Sequence, residues 1–231
     1  MTLSLAVAQP PCVAFDVAAN AVAHADAVRA ADARVVVFPE LSLTGYELTA
    51  PVLDPFDDWL RPLVEACAET NTVALVGAPV EGPHIAMISV AGDAVRVIYK
   101  KLYPGGAEPA RFRAGGGPAV HEVDGWRLGL AICRDAGVPE HAAATLALGA
   151  DVYVVGSAKQ PDEAAVQDER AHRVATTYGV WVAVASFAGP TGSGEYDPAA
   201  GRSGIWRPDG TVAAQAGSSV GETARAVLDR A

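Results

Sequence analysis

Basic residues are scarce in this sequence of 231 residues. Seventeen lysines and arginines stand against 27 aspartates and glutamates, which leaves a formal net charge of −10 at pH 7. Nucleic acids and anionic membranes attract proteins through clustered positive charge. The sequence therefore predicts no nucleic-acid partner and no membrane partner.

Cysteine is scarce as well. Cys12, Cys67 and Cys133 lie far apart, and the sequence contains neither a C-x-x-C pair nor an H-E-x-x-H motif. This excludes a disulfide framework and the common zinc-site patterns. The glycine run 115–117 lacks the G-K-[ST] continuation of a nucleotide-binding loop. We expect reduced thiols, no metal and no cofactor.

Long hydrophobic runs are absent from the start of the chain. The apolar stretch 3–8 is soon followed by Pro10 and Pro11, and no basic residue precedes it. A membrane-spanning helix needs about 20 apolar residues, and a secretory leader begins with basic residues. We therefore expect a cytoplasmic chain.

The residues that are present describe a globular protein. Hydrophobic residues make up 51% of the chain and charged residues 19%, and the length suits one domain spanning residues 1–231. Strand-like and helix-like segments alternate, with antiparallel pairs between them, which favours an α/β fold of mixed sheets covered by helices. The predicted strands are 3–8, 35–38, 73–76, 85–90, 95–99, 126–132, 152–155, 180–186, 203–207, 211–215 and 223–228, and the predicted helices are 17–32, 55–70, 140–148 and 163–178.

Three of the predicted strands end in residues that can carry chemistry. Glu40 follows the strand 35–38, Lys101 follows 95–99, and Cys133 follows 126–132. Each of the three residues also has an ordinary structural interpretation. Glu40 could be a solvated loop carboxylate, Lys101 a solvated lysine, and Cys133 a small apolar residue at the edge of the core. Sites in open α/β sheets assemble at strand ends, so the coincidence favours a common site. The loop 101–118, with five glycines and three prolines, is predicted to be part of that site.

The segments around these residues resemble the motifs of the carbon–nitrogen hydrolase family, also called the nitrilase superfamily. The resemblance covers about residues 3–228, and the motifs occur in the order of the family. It implies an α-β-β-α sandwich, a Glu-Lys-Cys triad of Glu40, Lys101 and Cys133, and a homodimer. The motifs are Phe38-Pro39-Glu40-Leu41 with Thr44-Gly45-Tyr46, then Tyr99-Lys100-Lys101-Leu102, then Ile132-Cys133-Arg134-Asp135 with Pro139-Glu140.

The resemblance also implies roles around the triad. Glu108, four residues before Phe112, is similar to a second glutamate that many members carry, and it is expected to hold Lys101 or the substrate. Substrate-binding candidates are Tyr46, Phe112, Arg134 and Lys159. The chain departs from many members at Ser157-Ala158-Lys159 and at Thr177-Tyr178, which affects the pocket rather than the triad.

The chemistry of a thiol nucleophile requires residues of these types. A free cysteine has a pKa of about 8.5, so it needs a neighbouring base or cation to react at neutral pH. Glu40 would supply the base and Lys101 the cation. Attack on an amide carbonyl forms an oxyanion, which Lys101 and a backbone N–H near Arg134 could stabilise.

The predicted function is hydrolysis of a small aliphatic amide to an acid and ammonia through a thioester. A nitrilase, an N-carbamoyl amine hydrolase, an acyltransferase with the same triad and a noncatalytic binding paralogue are the alternatives. The nitrilase alternative is weakened because the loop 101–104 lacks the Pro-Thr-His continuation typical of that branch. A Cys-His pair is the rival catalytic arrangement, although none of the five histidines follows a predicted strand in a comparable way.

Two cations near the expected nucleophile bear on specificity. In an acidic protein, two cations near one site, Arg134 and Lys159, suggest a substrate with an anionic group, since a carboxylate could pair with either of them. The alternative is that Lys159 is solvated and Arg134 pairs with Asp135 or Glu140. If the cations bind an anionic group, an ω-amide of a dicarboxylic acid is a better substrate than the neutral amide of equal length. If the alternative holds, the two amides react at equal rates.

Overall fold

The computed structural model describes residues 2–92, 94–192 and 196–230. Its helices are α1 (Val17–Ala31), α2 (Arg61–Thr70), α3 (Pro139–Leu146) and α4 (Ala164–Tyr178). Its strands are β1 (Leu3–Ala8), β2 (Val35–Val37), β3 (Val73–Val80), β4 (His84–Val90), β5 (Val95–Lys100), β6 (Val120–Val123), β7 (Trp126–Ile132), β8 (Val152–Ser157), β9 (Trp181–Ser186), β10 (Ala188–Gly189), β11 (Ala199–Ala200), β12 (Gly204–Trp206), β13 (Val212–Gln215) and β14 (Thr223–Leu228).

The strands form two six-stranded sheets and one small two-stranded ribbon. The first sheet has the order β14-β1-β2-β3-β4-β5, and the second has the order β13-β12-β9-β8-β7-β6. Each sheet has three adjacent parallel strands, β1-β2-β3 and β7-β8-β9. The remaining pairs in both sheets are antiparallel. The predicted α/β class with mixed sheets is therefore confirmed.

Three apolar clusters place the sheets and helices in four layers. The largest lies between the two sheets and includes Leu5 of β1 and Leu130 of β7. The second joins the outer face of the first sheet to α1 and α2, and the third joins the outer face of the second sheet to α3 and α4. Strands covered on both faces read as continuous apolar runs, as in Val35–Val37. The layers are therefore α-β-β-α.

The chain departs from the sequence predictions where local signals are weak. The predicted helix 55–70 begins only at Arg61, because Pro62 is tolerated in the first turn of a helix and not in its interior. Strand β6 was not predicted, since its four residues include the polar pair His121 and Glu122. The predicted strands 85–90 and 95–99 pair antiparallel as β4 and β5, although Asp93 between them lies outside the described residues.

The sequence predicts three late strands, 203–207, 211–215 and 223–228, and the last of them pairs away from the other two. Strands β12 and β13 do pair with each other in the second sheet. Strand β14 instead crosses to the first sheet and pairs antiparallel with β1, with Leu3 opposite Leu228. A pairing between segments so distant in sequence leaves no local signal.

Across the residues that the structure describes, no helix combines the length and the apolar character needed to cross a membrane.

Candidate active site

The structure brings together the three predicted strand-end residues between the two sheets. Glu40 and Lys101 follow strands of the first sheet, and Cys133 follows β7 of the second. The side chains of Glu40 and Lys101 are almost fully buried, and Nζ of Lys101 lies 2.7 Å from Oε1 of Glu40. Cys133 and Lys101 line the same cavity.

A second carboxylate completes a cluster around the lysine. Both carboxylate oxygens of Glu108 lie 2.7 Å from Nζ of Lys101. Glu108 also accepts hydrogen bonds from the hydroxyl of Tyr46 at 2.5 Å and from the backbone N–H of Gly105 at 2.8 Å. Glu108 sits in a short 3₁₀ turn, 108–110, inside the loop that the sequence singled out as functional. Its position beside Lys101 agrees with the expected arrangement.

Glu40 has far fewer partners than Glu108. Its Oε1 accepts from Lys101, whereas its buried Oε2 has no hydrogen-bond partner among the residues that the structure describes. Burial raises the pKa of the Glu40 carboxyl to about 8, and the charge of Glu108 adds to this while Lys101 opposes it. A carboxyl with a pKa near neutrality and one free oxygen can take up and release a proton at physiological pH.

The thiol and the ammonium have shifted pKa values as well. Burial alone would lower the pKa of Lys101, but the charges of Glu40, Cys133 and Glu108 together raise it above its ordinary value. Burial and the charge of Glu40 raise the pKa of the Cys133 thiol, while Lys101 and Lys159 act to lower it. The lysine is therefore a stable cation, and the thiol requires a base to react.

The backbone at Cys133 turns sharply out of its strand. Cys133 has φ +44°, in the left-handed region that residues with a side chain rarely adopt, and it begins a 3₁₀ turn that extends to Gly137. Its Sγ lies 3.5 Å from the carbonyl oxygen of Ala158. Asp135 holds the turn, since its carboxylate accepts hydrogen bonds from the backbone N–H groups of Ile132 and Tyr103. The turn is thus tied both to β7 and to the loop that carries Lys101.

A network of buried polar side chains also holds Asp135. The hydroxyl of Tyr99 donates to Asp135 at 2.7 Å and lies 2.8 Å from Nε2 of His141. Nδ1 of His141 lies 2.7 Å from the hydroxyl of Tyr153. Both ring nitrogens of this histidine are therefore occupied away from the thiol.

The other histidines have partners elsewhere, which disfavours the Cys-His alternative. His24 contacts Ser42, His84 contacts the carbonyl of Arg113, His121 contacts Ser89, and His172 contacts the carbonyl of Gly210. No histidine of the described chain lines the cavity beside Cys133.

The cavity above the cluster has a volume of about 240 Å³ and opens to solvent. Of the four predicted substrate-binding residues, it brings together Tyr46, Arg134 and Lys159. Phe112 lies elsewhere: it is 3% exposed, packs in the core between the sheets and is not among the residues that line the cavity. The turn after Glu108 directs the Phe112 ring inward, because a large aromatic ring gains more from burial in the core. The lining residues are Tyr46, Lys101, Gly105, Gly106, Glu108, Cys133, Arg134, Lys159, Arg170 and Tyr196.

The remaining cysteines lie outside this cavity. Cys67 packs on α2 in the outer core of the first sheet, and Sγ of Cys12 lies 3.9 Å from the carbonyl of Thr191. Burial raises the pKa of Cys12 to about 12 and that of Cys67 to about 11. Both therefore stay protonated at neutral pH, in keeping with the predicted packing roles.

Two cavity residues were missed from the sequence: Arg170 of α4 and Tyr196. Arg170 lies in a helix rich in charged residues, where nothing in the sequence separates it from surface arginines such as Arg173. The signal that could have found it is Gly137, because the guanidinium of Arg170 occupies the space beside that glycine.

Two strand glycines that hold the Glu40 segment were missed too. A Cβ on Gly77 of β3 would lie 2.4 Å from the backbone N of Leu41 and 2.5 Å from the carbonyl oxygen of Pro39. A Cβ on Gly156 of β8 would lie 3.0 Å from the carbonyl oxygen of Phe38. Both sheets thus approach the Glu40 backbone through a glycine, which fixes the carboxylate between them.

The fold and the buried thiol, lysine and carboxylates define a class that the sequence comparison also finds. The family model described as carbon–nitrogen hydrolase matches residues 4–231. The chain therefore belongs to the carbon–nitrogen hydrolase family and is a hydrolase of the nitrilase superfamily.

Relatives of known sequence or structure agree with this assignment. A protein of Pseudomonas protegens described as a hydrolase in the pqqF 5' region is 31% identical over 230 residues, covering 94% of this chain and 79% of the relative. The glutamine-dependent NAD(+) synthetase of Mycobacterium tuberculosis is 30% identical over 180 residues, covering 63% of this chain and 26% of that protein.

Solved structures share the fold at lower sequence identity. An amidase of the nitrilase superfamily from Nesterenkonia sp. AN1 superposes with a TM-score of 0.87 at 23% identity, covering 98% of this chain and 90% of the amidase. Nit3 of Saccharomyces cerevisiae superposes with a TM-score of 0.84 at 21% identity, covering 99% of this chain and 90% of Nit3. These likenesses confirm the predicted α-β-β-α sandwich.

Proposed function

We propose that this protein hydrolyses a small aliphatic amide to a carboxylic acid and ammonia, with Cys133 as the nucleophile, Glu40 as the general base and Lys101 as the stabilising cation. The observation that carries the proposal is the buried contact of Lys101 with Glu40 and Glu108 in the cavity that Cys133 lines. A thiol, a base and a fixed cation are the groups that amide cleavage through a thioester requires.

In the first half of the reaction, Glu40 takes the proton of the Cys133 thiol and the sulfur attacks the amide carbonyl carbon. The carbonyl oxygen becomes an oxyanion, which the ammonium of Lys101 and a backbone N–H beside Arg134 stabilise. Donors of this kind contribute roughly 3 kcal/mol each in comparable sites. Glu40 then gives its proton to the amide nitrogen, the carbon–nitrogen bond breaks and ammonia leaves.

In the second half, the thioester is cleaved by water. Glu40 accepts a proton from the water as its oxygen attacks the thioester carbon, and the carbon–sulfur bond breaks. The proton returns to the sulfur, the carboxylic acid leaves and the enzyme is restored. A base that moves a proton in both halves requires a pKa near the working pH, and burial raises that of Glu40 to about 8.

Glu108 acts as the fixed anion that positions Lys101. Its carboxylate is occupied by Lys101, the Tyr46 hydroxyl and the Gly105 backbone N–H. These contacts fix the carboxylate, and its two bonds to Nζ hold the ammonium of Lys101 in place. Tyr46, predicted to bind substrate, reaches the cavity but places its hydroxyl on Glu108.

Relatives support an amide rather than a nitrile as the substrate. The Nesterenkonia amidase has been solved with acrylamide and with butyramide, and the mycobacterial synthetase is named for its dependence on glutamine, which carries a side-chain amide. This chain spans only 26% of that synthetase, so the support concerns the bond and not the whole activity.

The test is a substrate panel with the purified protein. Butyramide, butyronitrile and an N-carbamoyl amine are incubated separately, and ammonia release and the protein mass are followed. We expect ammonia from butyramide and an acyl adduct on Cys133, both abolished in Cys133→Ala. Cys12→Ala and Cys67→Ala are the matched controls, expected to stay active.

The same panel distinguishes the alternatives. Turnover of butyronitrile alone would identify a nitrilase, and turnover of the carbamoyl compound alone an N-carbamoyl amine hydrolase. Acyl transfer to an added amine without release of free acid would identify an acyltransferase. Absence of any acyl adduct on Cys133 would overturn the proposal.

A further inference from the structure

The guanidinium groups of two arginines at the cavity have no partner among the residues that the structure describes. Arg134 and Arg170 both line the cavity that Cys133 and Lys101 line, and neither side chain forms a hydrogen bond or an ion pair with a described residue. Resting on the proposed amidase function, we propose that the substrate carries a carboxylate away from its amide and that Arg134 and Arg170 bind this carboxylate.

Arg134 is placed by the chain that surrounds it. It directly follows Cys133, and a Cβ on Gly105 would lie 2.6 Å from Cδ and 2.8 Å from Nη1 of Arg134. The side chain of Arg134 therefore lies along the loop 101–118, in space that is open because residue 105 is a glycine. Asp135 is not its partner, because the Asp135 carboxylate is held by backbone N–H groups and the Tyr99 hydroxyl.

Arg170 reaches the cavity from α4 through a similar gap. A Cβ on Gly137 would lie 2.8 Å from Cζ and 3.0 Å from Nη2 of Arg170. Its neighbour on the same helix, Arg173, is instead 3.6 Å from Glu169 and also donates to the carbonyl of Ala136. Of these two arginines, only Arg170 therefore keeps its guanidinium free for a ligand.

Lys159 adds a third positive charge near the thiol. It is 6% exposed and so is not the solvated lysine of the alternative interpretation, and its Nζ lies 3.3 Å from Oε1 of Glu163. Glu163 compensates part of its charge, so Lys159 strengthens the positive field without being the main carboxylate ligand.

The charge balance of the cavity favours an anion. Among the described residues that line the cavity, Glu108 supplies the one carboxylate and is already paired with Lys101, whereas Arg134 and Arg170 have no described carboxylate paired with them in a protein of net charge −10. A neutral amide leaves both guanidiniums without an anion, whereas a carboxylate accepts two parallel hydrogen bonds from a guanidinium. The cavity of about 240 Å³ suits a short chain with the amide at Cys133 and the carboxylate at its mouth.

The experiment compares succinamate with butyramide, which has the same number of carbons and no charge. We expect kcat/KM for succinamate to exceed that for butyramide by tenfold or more. In Arg170→Met and Arg134→Met the ratio of the two values falls at least tenfold, through KM for succinamate. Arg134 is exposed, so its variant keeps the test decisive where Arg170→Met does not fold.

Arg61→Met is the matched control, because it removes one positive charge from the exposed side of α2, away from the cavity. Its ratio should equal that of the unmutated protein. Equal rates on succinamate and butyramide in the unmutated protein overturn the inference and leave the amidase proposal intact.

A measurement of succinamate binding separates failure of the proposed amidase function from failure of the proposed carboxylate site. If neither amide is turned over, calorimetry with succinamate and Cys133→Ala protein decides the question. Binding that Arg170→Met weakens tenfold supports the carboxylate site without the amidase activity. Absence of binding overturns the site as well.

Discussion

At the scale of the residue, two glutamates beside one lysine differ in their partners. Glu108 receives hydrogen bonds from a lysine, a tyrosine and a backbone N–H, whereas Glu40 receives one, from Lys101. Glu40 is also enclosed between the sheets, and burial raises its pKa to about 8, so it can exchange a proton near neutral pH. The proposed roles of the two glutamates differ accordingly: Glu108 positions Lys101, and Glu40 moves the proton.

Glu40→Gln tests that division. Glutamine keeps the shape and can still hydrogen-bond Lys101, but it cannot take a proton from Cys133. General bases contribute about 10²- to 10⁴-fold, so we expect kcat for butyramide to fall within that range while KM changes little. Steady-state ammonia release measures both constants.

Glu65→Gln, on the exposed part of α2, is the control for losing one carboxylate. An effect of Glu40→Gln confined to KM would contradict the base assignment and favour a role in binding.

The proposed triad positions could be predicted because each lies just beyond a predicted strand and within a motif that resembles those of the family. The strand ends alone left ordinary alternatives for Glu40, Lys101 and Cys133, and the motifs favoured the common site. Phe112 and Arg170 could not be placed, since whether a loop aromatic turns inward, or a helix arginine turns toward a cavity, is decided by packing between distant segments.

At the scale of the element, the segment carrying Glu40 is held by two strands from opposite sheets. Gly77 on β3 and Gly156 on β8 leave only backbone-to-backbone spacing on either side of it. Any larger residue must push the segment away, which would move the carboxylate relative to Lys101. Element packing therefore sets the geometry of the reaction.

Gly77→Ala is expected to displace Glu40. The added Cβ would lie 2.4 Å from backbone, where no flexible side chain can yield. Overpacking of this kind typically costs about 1–3 kcal/mol, so we expect a lower free energy of unfolding together with a loss of kcat of at least tenfold. Urea unfolding and butyramide hydrolysis measure the two effects.

Gly116→Ala is the matched control, because no atom lies within 4 Å of its added Cβ and it belongs to the same loop as Glu108. It should retain both stability and activity. A Gly77→Ala protein as active as this control would show that the spacing around Glu40 is not needed.

Most elements could be predicted because periodicity is local, whereas their pairing could not. The strand 152–155 was found but extends to Ser157, and the ribbon of β10 and β11 was missed because two-residue strands carry no pattern. The placement of β14 beside β1 depends on which edges stay open once all other strands have paired.

At the scale of the whole molecule, a buried histidine links stability to pH. His24 on α1 is completely buried, with its ring nitrogens 2.6 Å from the carbonyl oxygen of Asn20 and 2.9 Å from Oγ of Ser42. Burial lowers its pKa from 6.5 to about 4. The folded protein keeps the ring neutral, so this stabilisation is complete above pH 6.5 and is lost as the pH falls toward 4.

His24→Asn isolates that effect. Between pH 7 and pH 5 the unmutated protein should lose about 2 kcal/mol more in free energy of unfolding than the variant, since one pKa unit corresponds to about 1.4 kcal/mol. Urea unfolding of both proteins at the two pH values gives the difference, in which the contributions of the other groups cancel. A difference that stays constant with pH would contradict the assignment to His24.

Several expectations for the whole molecule stay predictions. These are the homodimer, the cytoplasmic location and the single domain over residues 1–231. The first follows from the family resemblance and the other two from composition, length and the N-terminal sequence, none of which determines how copies of the chain meet or where they reside.

The pairing of β1 with β14 has a consequence for synthesis. Strand β1 is synthesised long before β14, the strand that covers its outer edge. At about 5–20 residues per second, that edge waits roughly ten to forty seconds for its partner. An uncovered edge offers its backbone to any neighbouring strand, so nascent copies on one messenger RNA are exposed to mispairing until β14 has been made.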